Sequence, residues 1–233
     1  MEAIILAGGF GTRLKNVINN VPKPMARVND KPFLEYILDY LIKNNITRII
    51  LSVGYKYKEI QDHFGTHYDG CEIAYSIEET PLGTGGAISK SLQLARSKNI
   101  FVLNGDTFFN IDLAYLFDFH NKSNSLLTLS LKYMKNFDRY GSVKTDNNGV
   151  ILNFNEKSFV NEGKINAGLY VINKDLFNKY DLPPKFSFET FMEEHFTSIN
   201  YNSLTFKEYF IDIGIPEDYH KVQNDFKKIF LSS

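Results

Sequence analysis

The sequence predicts an α/β protein built on a mainly parallel sheet, with a group of further strands in its second half. Two observations carry that expectation. Through residues 1–121, short apolar or β-branched runs alternate with segments of helical period, which is the pattern of strand–helix–strand units. After residue 122 the spacing changes, and four strand-like runs follow in close succession. A third observation concerns function. The first apolar run ends directly in glycines, and ligands of parallel α/β sheets sit beyond the carboxyl ends of the strands.

Taken in order, residues 2–7 (Glu-Ala-Ile-Ile-Leu-Ala) form the first strand, followed by Gly8 and Gly9. Residues 33–44 repeat apolar side chains at Phe33, Ile37, Leu38, Leu41 and Ile42, a helical period with Pro32 suited to its start. Residues 48–53 are a β-branched run closed by Gly54, and 57–64 form a shorter helix closed by Gly65. Residues 71–77 alternate as a strand. A helix over 84–96 carries Ile88, Leu92 and Ala95 on one face, and a strand over 99–103 runs into Asn104-Gly105-Asp106. A helix over 112–121 ends the first half. Strands over 126–133, 141–144, 150–154 and 165–172 follow, with Asp146-Asn147-Asn148-Gly149 as a hairpin turn. Helices over 188–196 and 217–230 complete the chain. The expected organisation is one domain over 1–233, with a first half over about 1–121 and a second half over about 122–233 that closes over it as a mixed-sheet extension.

Composition narrows the function classes. With 233 residues, 43% of them hydrophobic, the chain can bury one large core. A net charge of −1 gives no basic field for nucleic acid. The single cysteine, Cys71, excludes an internal disulfide, suits a reducing compartment and reads as a core or strand residue. No apolar run approaches the roughly 20 residues of a membrane span, and the N-terminus lacks the charge and apolar length of a signal peptide. A cytoplasmic protein without membrane partner is expected, as monomer or homodimer.

The glycines after the first strand belong to Gly8-Gly9-Phe10-Gly11-Thr12-Arg13-Leu14, and Val21-Pro22-Lys23-Pro24-Met25 follows. Glycine lets a ligand approach the main chain, and successive N–H groups can form an anion nest. Arg13 offers a planar fork to phosphate oxygens and Lys23 a compact charge. The run is neither a Walker loop, since no Gly-Lys-Ser/Thr follows, nor the dinucleotide fingerprint, whose spacing differs. The pairing of Gly-Gly-x-Gly-Thr-Arg-Leu with Pro-Lys-Pro-Met resembles the signature of the sugar-phosphate nucleotidyltransferases, over nearly the whole chain. That resemblance implies a Rossmann-like three-layer αβα fold with a mainly parallel mixed sheet and a small sugar-binding β extension, the nucleotide-binding half being about 1–121 and the sugar-binding half about 122–233. The β-helix repeats that some relatives append are absent from the sequence.

The implied reaction is attack by a sugar 1-phosphate on the α-phosphorus of a nucleoside triphosphate, with pyrophosphate leaving. Positioning and charge neutralisation are then the main tasks. A phosphate monoester has its second pKa near ~6, so the nucleophile is ionised without a general base. Mg²⁺ is the expected cofactor, because it takes one or two carboxylates together with phosphates and water. Taken alone, Asp106 and Asp212 read better as turn or cap residues; the resemblance is what marks them as the metal pair. It likewise implies catalytic roles for Arg13 at the β- and γ-phosphates and Lys23 near the α-phosphate. The expected nucleotide site comprises Leu6, Ala7, Gly8, Gly9, Gly11, Thr12, Arg13, Lys23, Glu78, Pro81, Gly83, Thr84 and Asp106. The expected sugar-phosphate site comprises Asn104, Tyr140, Gly141, Glu156, Lys157, Asn166 and Gly168. An exposed Glu-Lys pair and a plain hairpin turn are the ordinary alternatives for Glu156-Lys157 and Gly141, and Asp218 reads as a first-turn helix residue.

The base is expected at Glu78, within Glu78-Glu79-Thr80-Pro81-Leu82-Gly83-Thr84-Gly85-Gly86, with the frame between Glu78 and Glu79 open. A carboxylate only accepts, and guanine presents two neighbouring donors, N1–H and the 2-amino group. Relatives that use thymidine or uridine nucleotides commonly have glutamine there. After Arg13-Leu14, the Pro and Thr common in uridylyl- and thymidylyltransferases and the Glu of glucose 1-phosphate cytidylyltransferases are missing. The resemblance therefore points to guanylyltransferases, with GTP and a heptose 1-phosphate as substrates and a GDP-sugar for capsule or lipopolysaccharide as product. Mannose, glucose or N-acetylmuramate 1-phosphate with GTP, CTP or UTP is the alternative substrate set. A catalytically silent nucleotide-sugar sensor or regulatory subunit is the alternative of another class.

Overall fold

The computed structural model describes residues 1–9 and 21–230. Its first half runs β1 (Glu2–Leu6), β2 (Arg27–Val28), β3 (Lys31–Pro32), α1 (Phe33–Lys43), β4 (Arg48–Val53), α2 (Tyr57–Phe64), β5 (His67–Tyr68), β6 (Cys71–Ile77), α3 (Gly83–Leu92), β7 (Asn99–Asn104), β8 (Thr107–Phe109) and α4 (Leu113–Lys122). The second half runs β9 (Leu127–Phe137), β10 (Gly141–Thr145), β11 (Ile151–Lys157), β12 (Val160–Asn173), α5 (Phe188–His195), β13 (Tyr201–Phe206), β14 (Phe210–Asp212) and α6 (Pro216–Phe230). No described helix is long and apolar enough to cross a membrane.

Sheet order is β11-β10-β12-β7-β1-β4-β6-β5, with β9 on β12 and β13 on β9. The pairs β1–β4, β1–β7 and β4–β6 are parallel, whereas β12 joins β7 antiparallel from Leu169↔Leu103 to Asn173↔Asn99. The central strands are apolar throughout because both of their faces are buried. Alternation then sorts the side chains. Ala3, Ile5, Ile49, Leu51, Phe101 and Leu103 enter one core with α1 and α6, while Ile4, Ile50, Ile100 and Val102 enter a second core with α3 and α5. The result is a three-layer mixed α/β fold. Its second half carries the further strands as a mixed-sheet extension of the same sheet. β12 lies directly beside β7, so one sheet crosses both halves.

Three expectations need correction. The helix expected over 84–96 stops at Leu92. The backbone N–H of Arg96 donates to Glu2 Oε2 (2.9 Å) and its guanidinium grips Glu72, which pulls the chain out of helical path toward a buried ion network around Arg48. The strands expected over 126–133 and 165–172 extend to Phe137 and begin at Val160, because they continue pairing from Tyr133↔Lys164 to Phe137↔Val160 beyond their apolar stretches. Strands β2, β3, β5, β8, β13 and β14 are not among the expected ones. The three-residue strands β8 and β14 are too short to show a period, yet they pair antiparallel and bring Thr107 opposite Asp212.

Candidate functional site

The carboxyl ends of β1, β4, β6 and β7 open onto one rim. A cavity of about 480 Å³ there is walled by Leu6, Gly8 and Gly9 after β1, by Glu78, Pro81, Gly83 and Thr84 after β6, and by Asn104 and Asp106 after β7. Lys23 and Pro24 close it from a 3-10 turn over Lys23–Met25 that the flanking prolines stiffen. A second cavity of about 360 Å³ is walled by Tyr140, Gly141, Glu156, Lys157, Asn166 and Gly168 from β10, β11 and β12. Asn104, Thr107, Glu189 and Asp212 line both, so the two spaces meet at Asp212, with Asp106 on the first-cavity side.

That junction is built by the short ladder. Asp106 precedes β8 and Asp212 ends β14, and the Ile213 N–H donates to the Asp106 carbonyl (3.0 Å). Lys23 Nζ lies 2.5 Å from Asp106 Oδ2 and 3.9 Å from Asp212 Oδ1. Thr107 Oγ1 donates to Asp106 Oδ1 (3.3 Å), and the Gly214 N–H donates to Asp212 Oδ1 (2.7 Å). Two carboxylates with one ammonium between them form a hard-oxygen donor set. Among the described residues no group of three or more metal-ligating side chains occurs.

Glu78 is held rather than loose. Its Oε1 accepts from the Ser52 hydroxyl (3.3 Å) and its Oε2 from the Leu82 N–H (3.0 Å). A Cβ on Gly8 would come within 2.8 Å of Oε1, so glycine is what lets the loop after β1 lie against this carboxylate. Glu79 is exposed and outside the cavity wall, which resolves the frame in favour of Glu78 as the residue facing that space. The glycines that follow have a different physical reason. Cβ atoms on Gly83, Gly85 and Gly86 would lie 2.2–2.5 Å from Phe186 or Pro184 atoms, so they admit the segment that leads into α5. Thr84 joins the same contact, donating to Glu189 Oε2 (2.7 Å) and accepting from the Phe188 N–H (2.8 Å).

Around the second cavity, Gly168 has φ +68°, and a Cβ there would meet the Asn104 amide nitrogen at 2.3 Å. The Asn166 side-chain Oδ1 accepts the Gly168 N–H (3.1 Å), and its amide donates to the Tyr170 hydroxyl (2.8 Å). Burial, with the Asp212 charge behind it, pushes the Tyr140 phenol up to about 12, so it stays a donor at neutral pH. Burial likewise pushes the Cys71 thiol up to about 11, against any nucleophilic use.

Of the expected site residues, Gly11, Thr12 and Arg13 lie outside the described residues. Ala7 lines neither cavity. Strand alternation carries it into the first core at 1% exposure, and its N–H is spent on the Ser52 carbonyl (2.7 Å). The remaining ones line the two cavities. The division into halves at residue 121 does not divide the sites: Glu189 and Asp212 reach the first cavity, and Asn104 and Thr107 reach the second. Sequence reasoning missed Glu189, Glu193 and Arg139. Arg139 lines the second cavity and pairs with Asp218 (2.5 Å), so Asp218 ties α6 to the β10 turn as well as starting its helix. Only the i, i+4 spacing of Glu189 and Glu193 on a predicted helix was visible beforehand.

A family model described as nucleotidyl transferase matches residues 2–229. The chain belongs to this family. Two nucleotidyl transferase relatives are described as D-glycero-alpha-D-manno-heptose 1-phosphate guanylyltransferases. The one from Campylobacter jejuni is 50% identical over 220 residues, 94% of this chain and 97% of the relative. The one from Aneurinibacillus thermoaerophilus is 49% identical over 226 residues, 97% and 98% of the two chains. A crystal structure of HddC from Yersinia pseudotuberculosis complexed with GMP-PN matches this nucleotidyl transferase with a TM-score of 0.87 at 37% identity, covering 97% of this chain and 99% of that one.

Proposed function

We propose that this nucleotidyl transferase moves GMP from GTP onto D-glycero-α-D-manno-heptose 1-phosphate, giving the GDP-heptose and pyrophosphate. One observation carries the reading: two cavities, one at the strand ends and one over the β10–β12 strands, meet at Asn104, Thr107, Glu189 and Asp212, with Lys23, 3.9 Å from Asp212 and 2.5 Å from Asp106, on the first-cavity side of that junction. A transferase of this kind needs two substrates with their phosphates in contact, and the junction is where those phosphates would touch. The similarity to two heptose 1-phosphate guanylyltransferases over almost their full length supports the choice of both substrates.

In this reading the first cavity takes GTP, with Glu78 accepting from guanine and the Gly8-Gly9 backbone against the nucleotide. Both Glu78 oxygens already accept one bond, and each keeps a further lone pair. Lys23 neutralises the phosphates at the reacting phosphorus, moving its charge from Asp106 toward them. Arg13 would hold the departing pyrophosphate. Asp106 and Asp212 fit Mg²⁺ as its two protein ligands, since the donor set is carboxylate only and this ion needs no more protein ligands than that. When bound there, Mg²⁺ would offset phosphate charge. Lys157 on the sugar side would pair with the 1-phosphate, and Glu156 and Asn166 would meet sugar hydroxyls. The bond formed joins the sugar-phosphate oxygen to the α-phosphorus, and the bond broken joins that phosphorus to the β-phosphate bridge oxygen. The 1-phosphate arrives ionised, so no side chain must take a proton.

The test is pyrophosphate release with Mg²⁺, scanning four nucleoside triphosphates against a panel of sugar 1-phosphates. Turnover with GTP and the heptose phosphate is expected. Turnover confined to UTP or CTP would discard the role of Glu78 in base choice, and absence of turnover with every pair would discard the enzymatic reading.

A further inference from the structure

The second cavity has a wall that the proposed reaction does not use. Helix α5 contributes Glu189, Met192 and Glu193 to it, an i, i+3, i+4 set on one helix face. The cations of this cavity, Arg139 and Lys157, come from the β10–β11 side together with Glu156, whereas the only charged groups that α5 contributes are carboxylates. A sugar 1-phosphate is polar in the same sense. Its dianion belongs beside cations, and its hydroxyls are donors that a carboxylate can accept with charge assistance.

The two glutamates are not equivalent. Glu189 is committed, because its Oε2 accepts from both Thr84 (2.7 Å) and Ser187 (2.9 Å) and fastens α5 to α3. Glu193, one turn on, makes no hydrogen bond or ion pair among the described residues and is exposed to the cavity. Met192 between them is 1% exposed and gives this wall an apolar floor. The arrangement suits a ligand edge with C–H surface below and hydroxyls above.

We infer that Glu193 is a specificity-determining residue that accepts hydrogen bonds from the exocyclic hydroxyls of the sugar, favouring a heptose over a hexose 1-phosphate. The inference rests on the proposed guanylyltransferase reading and deepens it. The manno-heptose carries a vicinal diol beyond its ring where mannose carries one hydroxymethyl group. An acceptor built for the extra hydroxyl is left unpaired by the shorter sugar, which is how polar sites discriminate strongly.

The experiment compares wild type, Glu193→Ala and Glu193→Gln in pyrophosphate release with GTP, using D-glycero-α-D-manno-heptose 1-phosphate and α-D-mannose 1-phosphate as alternative acceptors. In Glu193→Ala, kcat/KM for the heptose should fall about ten-fold further than that for mannose, mainly through KM. Glu193→Gln, whose amide oxygen still accepts, should recover part of the difference. Equal losses for the two sugars, or an unchanged ratio, would overturn the inference while leaving the guanylyltransferase reading intact. A wild-type protein inactive with GTP and the heptose phosphate would remove both. Thermal melting of both variants should match wild type, since Glu193 supports no described contact; a lowered melting temperature with equal losses would assign Glu193 a structural role instead.

Discussion

Replacing Glu78 by glutamine separates base recognition from loop support. In the wild type the carboxylate accepts from Ser52 Oγ (3.3 Å) and from the Leu82 N–H (3.0 Å). Glutamine has one oxygen and one amino group. The Leu82 N–H is a donor only and must receive the oxygen, whereas the Ser52 hydroxyl can turn and accept from the amino group. The loop into α3 is therefore preserved, and the melting temperature should stay near that of wild type. The nucleotide-facing surface changes more. A carboxylate offers guanine two acceptors, and glutamine presents a donor where one of them stood, facing either N1–H or the 2-amino group. A charge-assisted hydrogen bond is worth about 1.5–3 kcal/mol, and each 1.4 kcal/mol is about ten-fold. The expected loss in kcat/KM for GTP is thus roughly 10- to 150-fold, with UTP gaining relative to GTP. Pyrophosphate release measured with both nucleotides reads the effect. GTP kinetics within about two-fold of wild type, with the protein folded, would refute base reading by Glu78 and leave it as a loop support only.

Gly8→Ala should act on the same carboxylate from the other side. Its Cβ would sit 2.8 Å from Glu78 Oε1, so kcat/KM for GTP should fall while the melting temperature changes little, and an unaltered KM for GTP would contradict the close approach. Lys23→Ala leaves Asp106 and Asp212 without the cation now 2.5 and 3.9 Å away. It should lower kcat by about 10²–10³-fold, the usual cost of one lost charge-stabilising group; full single-turnover rates would exclude Lys23 from the reacting centre. Asp212→Asn should weaken the Mg²⁺ dependence of turnover, shifting the half-saturating Mg²⁺ concentration upward, and an unchanged Mg²⁺ titration would remove Asp212 as a ligand. His120 is fully buried on α4 with Nδ1 at 2.9 Å from Thr128 Oγ1, and burial holds its imidazole down to about 4 from 6.5. The unfolded chain then takes up that proton first, so stability should be fully present above pH 6.5 and decline as pH falls toward 4, by at most about 1.4 kcal/mol per unit. His120→Gln should flatten that decline in denaturant titrations, and an equal slope in both proteins would show that other groups cause it.

Much of this molecule could be read from the chain because the deciding signals are local. The apolar runs of β1, β4 and β7 and the helical period of α1 report burial on both strand faces and on one helix face. Burial on both faces gives a continuous apolar run, and burial on one helix face repeats every 3.6 residues, in any protein of this class. The glycines after β1 and the Pro-Lys-Pro turn report backbone constraints that span a few residues, so the strand-end cavity was legible as well. Tertiary structure alone decided what depends on distant segments meeting. The resemblance named Asp106 and Asp212 as a pair, but what makes them neighbours is the pairing of two three-residue strands, and a strand that short carries no period to detect. The glycines of the Pro-Leu-Gly-Thr-Gly-Gly run looked like a ligand loop, yet three of them are required by the chain near Phe186, about a hundred positions on. Glu193 reads as one exposed helix glutamate among many until α5 docks beside β12 and turns that face into a cavity wall. Sequence pattern reports how each segment meets the core, whereas a binding wall is assembled from side chains that leave the core, and no periodicity constrains which of those come together.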